Sequence, residues 1–157
     1  MSKNQLLLIL VLPWLPFLAS AQNNSTCDQL RFVLNALVAK QPEKVIDRNK
    51  KIGFLHYASK VNINGFENCR ILDAGSGVVH FEAEYAGSDM EDNRKKLKEL
   101  MSLIAVCLSG KGYMSGSRGN TYMWYKKDNP SGGSITLYDR GNGQFLEIEI
   151  SGRAVEL

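Results

Sequence analysis

His80, Glu82 and Glu84 stand two residues apart in the stretch 78–85. On a β-strand that spacing puts all three side chains on one face, about 7 Å between successive members. An imidazole beside two carboxylates at that distance could move a proton or hold a weakly bound metal ion. His80-Phe81-Glu82 also matches the H-x-E of zinc deaminases, but the P-C-x-x-C that completes their ligand set is missing. The chain has two histidines, so a structural zinc site is not expected. The bland alternative for the same alternation is a solvated polar strand face.

Cys27, Cys69 and Cys107 allow one bridge and one leftover thiol. Cys27 falls in the first turn of one expected helix and Cys107 in the last turn of another, each on an apolar stripe. Antiparallel helices would bring those ends together, so Cys27–Cys107 is the favoured pair. Such a bridge would close a loop of about 80 residues and stabilise by roughly 4 kcal/mol in the chain-entropy model. Cys69–Cys107 is the next pairing, and three reduced buried thiols the third reading. A leftover Cys69 could meet His56 or His80 as a nucleophile, but nothing local favours that over an unreactive buried thiol.

Tyr113, Tyr122, Trp124 and Tyr125 are the densest aromatic group, and Lys126 and Lys127 follow them. Tyr122 and Trp124 share one strand face, Tyr125 and Met123 the other. Exposed Tyr and Trp beside cations mark recognition surfaces, which makes Tyr122, Trp124, Tyr125 and Lys126 the candidate binding residues. The alternative is core packing that ends on a gatekeeping lysine pair.

Other motifs fall away. Asp73, Gly75 and Gly77 have the glycine spacing of a methyltransferase cofactor loop, but a strand pattern follows where a helix is needed, so they read as a hairpin turn. The glycine-rich stretch 110–119 lacks the G-x-x-x-x-G-K-[ST] of a phosphate loop, and no G-x-S-x-G elbow exists. No cofactor is implied.

The elements that would position these residues centre on a helix at 88–110. Leu97, Leu100, Met101, Ile104, Cys107 and Leu108 recur three and four residues apart. Ser88 with Glu91 reads as its capping box, and Gly110 as its stop. A first helix is expected at 26–40, opened by Thr26 with Gln29 and striped by Leu30, Val33, Leu34, Leu37 and Val38. Strands are expected at 69–72, 78–85, 121–127, 134–139 and 145–150, with turns at 129–133 and 140–143. The charged stretch 43–51 reads as a connector, 52–61 as strand or buried loop, and 111–120 as a loop. The fold class is therefore α+β, a two-layer sandwich with an antiparallel sheet of about five strands and two helices packed on one face.

The 157 residues suit one domain, and 44% hydrophobic with 22% charged is a globular composition. The net charge of +3 is too small by itself to imply nucleic acid or an anionic membrane. Residues 1–21 have a leader's order: Lys3, an apolar run over 6–18 and a small-residue Ala19-Ser20-Ala21 site. The expectation is a signal peptide cleaved near Ala21, a single α+β domain over 22–157, and export to the periplasm or outside the cell. No later stretch approaches the roughly 18 apolar residues of a membrane helix. Three functions stay open. One is a non-enzymatic exported binding or inhibitor-type module with a protein partner. Another is a small envelope enzyme with an acid/base site around His80, Glu82 and Glu84. The third is a structural or stress-related envelope protein with no small-molecule site.

Overall fold

The computed structural model describes residues 15–73, 75 and 78–153. The chain runs α1 (Leu15–Val38), β1 (Ile46–Lys51), β2 (His56–Ser59), β3 (Glu67–Asp73), β4 (Val79–Tyr85), α2 (Met90–Leu108), β5 (Met114–Arg118), β6 (Thr121–Tyr125), β7 (Ser134–Arg140) and β8 (Phe145–Ser151). The fold is α+β, with two helices and one antiparallel sheet in the order β1-β2-β3-β4-β8-β7-β6-β5. Each half of the sheet is a meander of sequence neighbours. Helix α2 carries the chain from β4 to the far edge, and β8 returns to pair with β4 along Phe81↔Ile150 and Ala83↔Ile148.

Among the described residues the sheet has eight strands, not about five. The expected connector over 43–51 contains β1, the expected loop over 111–120 contains β5, and the ambiguous stretch before Val61 contains β2. Both edge strands are wet on nearly every side chain. Sequence periodicity reports burial, and an edge strand with charged or glycine positions has little to report. The five expected strands are all interior, and the one interior strand outside them is β2, four half-buried residues with no contrast between its faces.

Both helices pack against β8, and their stripes share one core with the sheet's inner face. Phe81 and Ala83 of β4, Ile135 and Leu137 of β7, and Leu146, Ile148 and Ile150 of β8 alternate toward the helices. Leu30, Val33, Leu34 and Leu37 meet them from α1, and Leu100, Ile104 and Leu108 from α2.

Both helix starts differ from expectation. The cap of α2 is Asp89, one residue past Ser88, and its carboxylate accepts from the Asp92 amide at 2.9 Å. Asp92 in turn accepts from the Ser88 amide, so the acidic first turn still caps the helix. Helix α1 begins at Leu15 rather than Thr26. Gln29 is no cap: its amide bonds Asn64, accepting from the backbone N–H at 2.8 Å, and so ties α1 to the turn at Asn64-Gly65. Of the expected leader, residues 1–14 lie outside the described residues. Among the described residues, no helix is long and apolar enough to cross a membrane.

Cys27 and Cys107 are disulfide-bonded across the two helices, Cα to Cα 5.3 Å. The Arg31 guanidinium donates to the Cys107 carbonyl at 2.8 Å, placing a cation where the last turn of α2 leaves its carbonyls unpaired.

Candidate functional site on the open sheet face

Alternation that buries Phe81, Ile148 and Leu137 under the helices turns their neighbours to the opposite face. There β2, β3, β4, β8 and β7 contribute a ladder of polar side chains. Register brings Arg70 beside Glu82 and Glu82 beside Glu149. The Arg70 guanidinium forks between two carboxylates, with Nε 2.7 Å from Glu82 and a terminal nitrogen 2.8 Å from Glu84. His56 approaches Glu82 at 3.6 Å, and Asn68 donates to Glu84 at 2.8 Å.

Across the β4–β8 seam, His80 Nδ1 lies 2.9 Å from Glu149 Oε1. The Tyr138 hydroxyl donates to the other Glu149 oxygen at 3.3 Å. Arg140 stacks 4.0 Å above the Tyr138 ring and pairs with Glu147 at 3.1 Å.

The electrostatics follow from these contacts. The hydrogen bond to Glu149 raises the His80 pKa above its ordinary value, against the opposing effect of burial. The same bond lowers the Glu149 pKa. Burial first, then the Glu149 charge, raises that of Tyr138 and keeps its phenol protonated. Both shifts favour the charged forms of His80 and Glu149, beside a phenol whose shift favours its neutral form.

His80, Glu82 and Glu84 do share one face, but their closest partners lie on neighbouring strands. His80 engages Glu149, while Glu82 and Glu84 share Arg70. Glu149 lies on β8 between the inward-facing Ile148 and Ile150, on the outward side of the alternation. Arg70, Tyr138 and Arg140 were not singled out, although Tyr138 and Arg140 stand two apart on β7. Arg70 reaches its partners across the β3–β4 hairpin, and Tyr138 and Arg140 theirs across the β7–β8 hairpin, while the His80–Glu149 contact depends on the β4–β8 register, which joins distant parts of the chain. Among the described residues, no group of three or more His, Cys, Asp or Glu is placed to hold a metal ion.

The aromatic group divides. Trp124 is 5% exposed and belongs to the core, with half-buried Tyr122 packed against that core. Tyr125 is half-buried on the other face, where Met123 is buried. Lys126 lies with its ammonium 5.1 Å from the Tyr113 ring centre. Tyr122, Trp124, Tyr125 and Lys126 therefore do not form one exposed patch. Two strand faces with opposite jobs produced the same dense spelling. Cys69 is the remaining thiol, half-buried, and burial raises its pKa, which disfavours the reactive thiolate.

No protein-family model, curated protein or solved structure matches this chain.

Proposed function

We propose that this chain is an exported, non-enzymatic binding protein that meets a protein partner with the open face of its sheet. The observation that carries this reading is the mutual pairing along the ladder. Arg70, His80 and Arg140 already engage Glu82, Glu84, Glu147 and Glu149. Side chains held by one another lose little further freedom on binding, so the face is preorganised for recognition. Its charges supply orientation and partner choice more than raw affinity. A general base, by contrast, needs a free lone pair aimed at a substrate proton. Export is supported by the order of residues 1–21 and by the Cys27–Cys107 bridge, which persists in oxidising compartments.

A second reading rests on one arrangement. Tyr138, Glu149 and His80 form a hydrogen-bonded row with a raised histidine pKa, and such a row could transfer a proton. It is the acid/base alternative with Glu149 in place of Glu82 and Glu84.

Photocrosslinking separates these readings. A photoreactive residue at Tyr138 on the open face should yield a protein adduct in the envelope or secreted fraction. One at Lys98, exposed on α2, should not. The paired change Arg140→Glu with Glu147→Lys should abolish the first adduct. Equal adducts at both positions, or none at 138, would refute the binding face. A turnover lost in both His80→Gln and Glu149→Gln would favour the enzyme. Recovery of the chain with residues 1–21 intact in the cytoplasm would refute export.

A further inference from the structure

A different part of the molecule carries the most exposed large apolar side chain among the described residues. Phe54 is 87% and Ile52 59% exposed, both in the turn between β1 and β2. The turn is closed. The Ile52 and Gly53 amides both donate to the His56 carbonyl, at 2.9 and 3.3 Å, and the Asp73 amide donates to the Leu55 carbonyl at 2.9 Å. Two large apolar side chains are thus held out on a braced tip.

Cations surround that tip. Lys50 and Lys51 end β1 in exposed positions, and the Lys51 ammonium lies 5.7 Å from the Phe54 ring centre and 6.0 Å from that of Tyr57. The Arg48 guanidinium sits 5.8 Å from Tyr57. Among the described residues, ion pairing on this hairpin is limited to Arg48 with Asp73 and His56 with Glu82. Asp47 is the hairpin's own acidic residue, so the strand end remains net positive.

The surrounding fold extends the pattern. In an antiparallel meander the β1–β2 and β3–β4 connections leave the same end of the sheet, and the end of β8 arrives there too. At that end a groove of about 540 Å³ has Leu37, Val38 and Val79 along it and Lys40, Arg48 and Arg153 as its cations. Arg48 belongs to both the groove and the hairpin.

We infer that this end of the sheet docks on an anionic lipid bilayer, with Ile52 and Phe54 entering the headgroup–acyl boundary and Lys50 and Lys51 meeting lipid phosphates. Projecting apolar side chains flanked by lysines suit an interface about 5–10 Å deep. A protein partner of ordinary kind needs about 800 Å² of complementary surface on each side, which two side chains on a narrow turn do not offer. The inference stands apart from the open face, since the hairpin is at the sheet edge.

Amide hydrogen exchange on the full disulfide-bonded chain tests this. Peptide resolution separates the hairpin from any membrane affinity of residues 1–21. Vesicles of equal phosphatidylglycerol and phosphatidylcholine should slow exchange over residues 50–57, and pure phosphatidylcholine should do so far less. Lys50→Gln with Lys51→Gln should weaken the protection about fivefold per lysine. Ile52→Asn with Phe54→Asn should remove it. These side chains are exposed, so slow exchange over β8 in each variant verifies an intact core. Unchanged exchange at 50–57 overturns the inference and leaves the hairpin to an acidic protein surface. Equal protection by neutral vesicles, or full protection of either double variant, overturns it as well.

Discussion

Asn93 shows what one buried amide can do. It is 1% exposed on the inner side of α2. Its NH₂ donates to the Gly143 and Gln144 carbonyls at 2.9 and 2.8 Å, and its oxygen accepts from the Gly87 amide at 2.9 Å. One side chain thereby joins the start of α2 to the β7–β8 turn and to the chain leaving β4. Asn93→Ala should leave those groups unsatisfied and cost about 2–3 kcal/mol. Urea unfolding measures it, and a loss under about 0.5 kcal/mol, the scale of an ordinary surface change, would contradict the role. The signal was available in the sequence. Asn93 precedes Leu97 by four residues, on the stripe that continues through Leu100, Ile104 and Cys107. A polar residue at a stripe position is a buried hydrogen-bonder or an error in the stripe, and only packing distinguishes the two.

Among the elements, the interior strands were legible except β2, whose four residues are all half-buried, and the edges were not. The helices cover the inner faces of β4, β7 and β8, so Phe81, Leu137 and Ile148 stand out against polar neighbours, including Thr136, which is itself buried. Strands β1 and β5 meet water on most positions and spell no alternation. The candidate site was half legible for a related reason. Periodicity placed His80, Glu82 and Glu84 on one face, while Arg70 joins two of them through the β3–β4 register and Glu149 joins His80 through pairing between strands far apart in sequence.

That pairing predicts a pH dependence at the β4–β8 seam. His80 has a folded pKa above its ordinary 6.5, so its contribution is complete below 6.5 and is lost as pH rises through the folded value. Glu149 has a folded pKa below its ordinary 4.5, so its contribution is complete above 4.5 and is lost as pH falls through the folded value. The pair stabilises most between 4.5 and 6.5. Thermal midpoints of the parent and His80→Gln should therefore differ most near the middle of that window and converge toward alkaline pH. A difference that grows above neutrality would refute the ion pair.

Over the whole molecule, the two helices are held to each other by packing and by one covalent link, with Arg31 bonded to the carbonyl beside it. Replacing both Cys27 and Cys107 by alanine should lower stability by about 2–4 kcal/mol, read as a lower denaturant midpoint. A midpoint insensitive to reductant in the parent would show that the bridge contributes nothing. This pairing was legible because both cysteines lie on apolar helix stripes, and stripes are what helices turn toward one another. The count of strands was not, because no apolar pattern marks where a sheet stops.

The bridge also divides the chain into a closed ring and an open tail. Residues 27–107 form the ring, which contains β1 to β4, the second half of α1 and nearly all of α2; β5 to β8 lie beyond it. A protease that cuts once inside the ring, at the Phe54 turn for example, leaves both pieces joined through sulfur. A single cut beyond Cys107, in the 111–113 or 126–133 connections, yields a fragment held only by strand pairing and packing. On a reducing gel the two nicks look alike, and without reductant only the second gives a smaller band.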